Sequence, residues 1–116
     1  RAQRMQEKAA NVGFDWPEWK QVWGKLEEEL EEFKEALERN DYKESQEEFG
    51  DLLFSLVNVG RFFNLNAEDS LRSTNRKFVR RFQYIEKELK KKDKQITEVS
   101  LKEMDHHWNR AKSELK

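Results

Sequence analysis

Two acidic pairs, Glu29 with Glu32 and Glu48 with Asp51, are each spaced i,i+3 and lie about fifteen residues apart across a turn signal. Residues three apart share a helix face, so this spacing sets four carboxylates on two facing helices. At an effective dielectric near 20, two unit charges about 4 Å apart repel by roughly 4 kcal/mol. Four converging acids therefore call for a neutralising cation. Oxygen donors without imidazole or thiolate select hard ions, Mg2+ first and Mn2+ second, and disfavour zinc. A di-iron bundle would place Glu-x-x-His on facing helices, whereas the two histidines, His106 and His107, stand far downstream. Neighbouring helical residues point about 100° apart, so this pair does not chelate one ion and is expected at a surface or interface.

Helix punctuation places these acids. The first helical pattern, Ala2 to Asn11, stops at Gly13. Asp15-x-x-Glu18, with Pro17 in the first turn, opens a second helix that runs to Asn40, with apolar positions at Trp19, Trp23, Leu26, Leu30, Phe33 and Leu37. That stripe leaves Lys25, Glu29 and Glu32 on one shoulder, while Glu27, Glu31, Glu35 and Glu38 point to solvent and Glu28 is ambiguous. A third helix begins at Asp41, with Glu44 three residues on, and continues through Phe63 to Asn64. It is apolar around most of its circumference and so is expected to be central. Its polar residues Glu48, Asp51, Ser55 and Asn58 fall on one arc, and Gly50 is expected to admit a neighbouring helix. Asn66 caps a fourth helix to about Leu89, and Ser100-x-x-Glu103 starts a fifth that ends near Leu115, with a solvated lysine-rich connection between them.

These elements, with one proline and four glycines in 116 residues, predict an all-α helical bundle of four to five helices forming one domain over residues 1–116. The chain begins with Arg1 and not Met, which is compatible with a piece of a longer, two-domain protein. The absence of cysteine excludes disulfide and thiolate chemistry, and no apolar run approaches the roughly 18 residues of a membrane span. A cytoplasmic protein with no membrane partner is expected. Charge is segregated: residues 27–51 hold twelve acids against three bases, and residues 72–94 hold ten bases against three acids. Such runs are usually solvated faces, yet the opposition also suits a polyanion that carries its own cations, such as a nucleotide with magnesium, without implying a nucleic acid polymer. Lys77 and Arg81 share one face of the fourth helix. On the fifth, Leu101, Met104, Trp108, Ala111 and Leu115 form a stripe, with Lys112 one turn after Trp108; the indole either packs or borders a nucleotide.

The segments RAQRMQ, ANVGFDW, Glu28-Glu29-Leu30-Glu31-Glu32, EEFGDLLFSLVNVGR and NRKFVRRF, in this order, resemble the MazG-type nucleoside triphosphate pyrophosphohydrolases. Over nearly the whole length the likeness is to the C-terminal domain of two-domain members. The resemblance implies an all-α, Mg2+-dependent enzyme that converts nucleoside triphosphates to monophosphates and pyrophosphate in nucleotide-pool house-cleaning, working as a homodimer. It implies metal ligation and catalysis by Glu29, Glu32, Glu48 and Asp51, and nucleotide or phosphate contacts by Lys25, Asn58, Lys77, Arg81, Trp108 and Lys112. Two alternatives share the same residues: a narrow-specificity dUTP or dCTP pyrophosphatase, and a non-catalytic helical interaction module.

Overall fold

A computed structural model describes residues 1–115, and among them five α-helices and one 3-10 turn account for all regular structure: α1 Ala2–Asn11, α2 Trp19–Glu38, α3 Tyr42–Phe62, α4 Ala67–Lys91, the turn Ile96–Glu98, and α5 Leu101–Glu114. The fold is all-α, as the periodicity predicts. Residues in the left-handed region end three of the helices: Asn40 at φ 56°, Asn64 at φ 58° and Asp93 at φ 56°. Asn and Asp tolerate this conformation better than other residues with a Cβ. Gly13, at φ 91°, does the same after α1. At the helix starts, the Asp41 carboxylate accepts from Glu44 N–H at 3.0 Å and the Ser100 hydroxyl accepts from Glu103 N–H at 3.2 Å, each satisfying an otherwise orphaned donor.

The chain forms two compact units, Arg1–Glu68 and a second from Asp69 onward. In the first, α2 and α3 form an antiparallel hairpin joined by Arg39, Asn40 and Asp41, and α1 packs on α3. Gln6 fastens α1 by donating from Nε2 to the Phe54 carbonyl at 2.9 Å. Gln3 fastens it again, donating to the Leu65 carbonyl at 3.0 Å and accepting from Ala67 N–H at 2.8 Å. In the second unit, the Tyr84 hydroxyl of α4 donates to Glu114 of α5 at 2.8 Å, and Phe78 meets Trp108 with ring centroids 5.5 Å apart.

Several expectations change. Asp15 does not open α2: Pro17 steers the residue before it away from helical backbone, and the helix begins at Trp19, with Glu18 N–H donating to the Gln21 side chain at 3.3 Å. The buried line of α2 is Val22, Glu29 and Ala36, seven residues apart, while Leu30 and Leu37 are half exposed. On α3 the buried residues are Ser55 and Val59, and Phe49, Leu53, Phe54 and Leu56 are each about half exposed. A Cβ added at Gly50 would meet nothing within 4 Å, so no other helix of the first unit approaches there. On α5 the inner line is His107 and Ala111; His107 is 2% exposed with neither ring nitrogen hydrogen-bonded, whereas Leu101 is largely exposed. The lysine-rich connection contains the unforeseen 3-10 turn, anchored where Lys94 donates to Glu103 at 3.2 Å.

Candidate metal centre

The α2–α3 hairpin brings Glu29, Glu48 and Asp51 together, each offering an oxygen so that all three atoms lie within 4.8 Å of one another. Burial falls across the set. Glu29 is 5% exposed, Glu48 is half-buried and Asp51 is exposed, so the cluster opens from the helix interface to solvent. Glu29 Oε2 and Glu48 Oε2 are buried and make no hydrogen bond. Unpaired buried carboxylate oxygens cost free energy unless a cation meets them. The donor set is oxygen only. Both observations fit a hard divalent ion.

Burial pushes the Glu48 carboxyl up to about 7, and the neighbouring Glu32 and Glu29 carboxylates push it the same way. Glu32 is itself exposed. It stands beside Glu48 without belonging to the tight triad. Lys25 reaches Glu29 Oε1 at 3.0 Å and the edge of Glu28 at 4.0 Å. Its hydrogen bond and attraction to Glu29 hold the ammonium above its ordinary pKa. One edge of the cluster is thus already charge-compensated, and the side toward Asp51 is not.

Asn58 stands about two turns beyond Asp51 on α3 and accepts from Arg61 Nε at 2.8 Å. Arg61 in turn donates to Asp15 through both terminal nitrogens, at 2.6 and 3.2 Å, a bidentate pair that holds the Asp15 carboxyl below its usual range. Beside this pair is a cavity of about 570 Å3 whose lining includes Gln6, Trp16, Phe54, Asn58 and Arg61. Neither Gln6 nor Arg61 was singled out from sequence. Arg61 had a readable signal, since it extends the polar arc of α3 by one further step of three; Gln6 had none.

In the second unit Arg81 lies over the Trp108 ring at 5.4 Å. Lys77 is one turn earlier on α4 and Lys112 one turn after Trp108 on α5, both exposed. Among the described residues Lys77, Arg81 and Lys112 form no ion pair, although the chain is rich in acids.

The MazG nucleotide pyrophosphohydrolase domain matches residues 20–86, a span that contains all four acids as well as Lys25, Asn58, Lys77 and Arg81. The chain is 47% identical over 111 residues to the nucleoside triphosphate pyrophosphohydrolase/pyrophosphatase MazG of Thermotoga maritima, a match covering 96% of this chain and 42% of that protein. It is 37% identical over 116 residues to the nucleoside triphosphate pyrophosphohydrolase of Escherichia coli K12, covering 97% of this chain and 43% of that one. A third relative, the uncharacterized protein YabN of Bacillus subtilis, is 51% identical over 65 residues, 56% of this chain and 13% of the relative. The chain therefore spans less than half the length of these curated relatives. With the family match extending over more than half of its residues and enclosing the carboxylate cluster, the chain belongs to the MazG nucleotide pyrophosphohydrolase domain family.

Proposed function

We propose that residues 1–116 act as one MazG-like domain that hydrolyses nucleoside triphosphates to nucleoside monophosphate and pyrophosphate with Mg2+, for which Mn2+ substitutes, in cytoplasmic house-cleaning of the nucleotide pool. The observation that carries the reading is the triad of carboxylates within 4.8 Å, two of them with buried oxygens that have no partner. The printed activities of the Thermotoga and Escherichia relatives support it. The domain assignment is supported by a family match that runs across the boundary between the two compact units. Among the described residues no helix is long and apolar enough to cross a membrane.

Glu29, Glu48 and Asp51 would hold the ion, with Glu32 completing the ligand set from the rim. When bound, Mg2+ supplies charge neutralisation on phosphate oxygens and lowers the pKa of a water. The chain's residues do the rest. A glutamate of the cluster accepts the proton of the water whose oxygen attacks at the α–β anhydride, and pyrophosphate leaves. Lys25 tethers Glu29 and so orients it. Lys77, Arg81 and Lys112 offer unpaired positive charge for the phosphates, Trp108 borders the nucleotide, and Asn58 contacts it from α3.

The test is a turnover panel over ribo- and deoxynucleoside triphosphates with product identification, with and without divalent cation. Monophosphate and pyrophosphate formed across several bases are expected, with loss of turnover in chelator. Hydrolysis of dUTP or dCTP alone would favour the narrow-specificity alternative. No turnover of any triphosphate, with a chain whose melting temperature ignores Mg2+, would favour the non-catalytic module. Alanine at Lys77 or Arg81 separates phosphate binding from packing: nucleotide turnover should fall while the melting temperature stays put.

A further inference from the structure

We propose that His107 and Glu103 form a proton-operated latch in the second unit: when the buried imidazole takes up a proton, Glu103 turns from Lys94 to His107 and frees the connection between α4 and α5. Nothing in it depends on the hydrolase reading.

His107 is 2% exposed, and neither Nδ1 nor Nε2, both buried, has a hydrogen-bond partner. A neutral imidazole carries one donor and one acceptor. Left unpaired and buried, these atoms cost stability that an apolar side chain of similar size would not, so the resting state gains nothing from the polarity of the ring. The protonated state does gain, because a carboxylate stands one turn earlier on the same helix face. Nε2 is 3.9 Å from Glu103 Oε1, too far for a hydrogen bond and near enough for attraction once the ring is charged. Closing that gap to the roughly 2.8 Å of a charged pair takes a side-chain rotation and no movement of the helix. The start of α5 stays fixed meanwhile, since the Ser100 hydroxyl holds the Glu103 backbone N–H and not its side chain.

Glu103 is already engaged. The same oxygen accepts from Lys94 Nζ at 3.2 Å and lies 4.0 Å from Lys92 Nζ. The Lys94 hydrogen bond chiefly holds the Glu103 carboxyl below its ordinary range, and attraction from Lys94, Lys92 and His107 adds to it, so Glu103 stays ionised where imidazoles titrate. An arriving imidazolium therefore competes with two ammonium groups for one oxygen. Lys94 is where the competition is felt: its backbone N–H is bound to the Leu89 carbonyl of α4 at 2.9 Å, and its ammonium ties the connection to α5. The other charged groups of the surrounding elements have partners of their own. On α5, Arg110 pairs with Glu114 at 3.3 Å, and His106, with its ring centroid 5.6 Å from that of His107, is exposed. On α4, Tyr84 donates to Glu114, and Glu88, between the buried Ile85 and Leu89, pairs with Lys91 at 3.3 Å. Among the described residues Glu103 is the carboxylate paired with the ring. Release of Lys94 loosens the entry to the helix that carries Trp108 and Lys112.

The experiment follows the isotope-labelled full chain by NMR from about pH 7.5 to about pH 5.5, reading the His107 ring nitrogens and the backbone order parameters of residues 95–99, with exposed His106 as the internal reference for imidazole titration. As the His107 ring protonates, the order parameters should drop from the rigid range, about 0.85, to below about 0.6. His107→Leu should keep them high at both ends of the titration. Glu103→Gln and Lys94→Met, which each remove one side of the tie, should leave the segment mobile throughout. A His107 ring that protonates while residues 95–99 stay rigid, a ring that stays neutral to the end of the titration, or the same acid loosening in His107→Leu overturns the proposal. So does a Glu103→Gln chain that stays rigid at the alkaline end, whether or not His107→Leu folds.

Discussion

Glu29 Oε2 and Glu48 Oε2 are buried without a hydrogen-bond partner, which makes the metal-free cluster a place where function costs stability. Glu48→Gln and Asp51→Asn keep the side-chain volume and remove one charge each. Turnover should fall by at least about a hundred-fold, since even residues that only support metal ligands cost about 10- to 100-fold when removed. The metal-free melting temperature of Glu48→Gln should rise above wild type, because the repulsion from Glu32 and Glu29 is relieved, and its stabilisation by Mg2+ should shrink. Calorimetry with and without the ion checks both; a Glu48→Gln chain that melts lower and keeps wild-type turnover would remove Glu48 from the site. The four acids were legible because i,i+3 spacing fixes a shared face whatever the tertiary context. The depth of Glu29 was not legible. Its burial depends on where α3 packs, and this moved the inner line of α2 from Leu30 and Leu37 to Val22, Glu29 and Ala36.

At the scale of elements, local punctuation proved readable where the partner is a neighbour in sequence, as with the caps at Asp41 and Ser100. It failed at Asp15, whose carboxylate is taken by Arg61 across 46 residues. A charge-assisted bidentate pair outweighs a helix cap, and nothing local announces it. On α5 the packing buries His107 with Ala111, a line that shares Ala111 with the expected stripe and lies about 60° from its centre. The Asp15 pair has a pH signature. Its folded pKa lies below the ordinary 3.8, chiefly because Arg61 hydrogen-bonds it. The carboxylate therefore contributes its full stability above the unfolded value and loses it as pH falls through the lower folded value. Asp15→Asn should cost about 1 kcal/mol at neutral pH. Urea unfolding should show the gap between variant and wild type closing as pH falls below about 4; a gap independent of pH would mean that the pair contributes nothing.

At the scale of the whole molecule, the buried apolar residues among those described, Val22, Ala36, Val59, Ile85, Leu89 and Ala111, contrast with half-exposed Phe49, Leu53, Phe54 and Leu56 on α3. Together with the open space at Gly50, this supports a homodimer in which α3 packs on a second chain. At about 25 cal/mol per Å2, covering some 800 Å2 of apolar surface gains on the order of 20 kcal/mol before the cost of association. Sedimentation equilibrium at low micromolar concentration should show a dimer, and Leu53→Glu should shift it to monomer; a wild-type monomer with full activity would refute the interface. The three-residue connection Arg39–Asn40–Asp41 has a kinetic consequence. Because it places all four acids on a hairpin of low contact order, these charges meet early in folding, before more distant parts of the chain have docked. Electrostatic repulsion then belongs to the barrier as well as to the native state. In stopped-flow refolding, Mg2+ should accelerate folding of the wild type, Glu48→Gln should fold faster without it, and an ion effect confined to the unfolding limb would show that the acids converge only after the transition state.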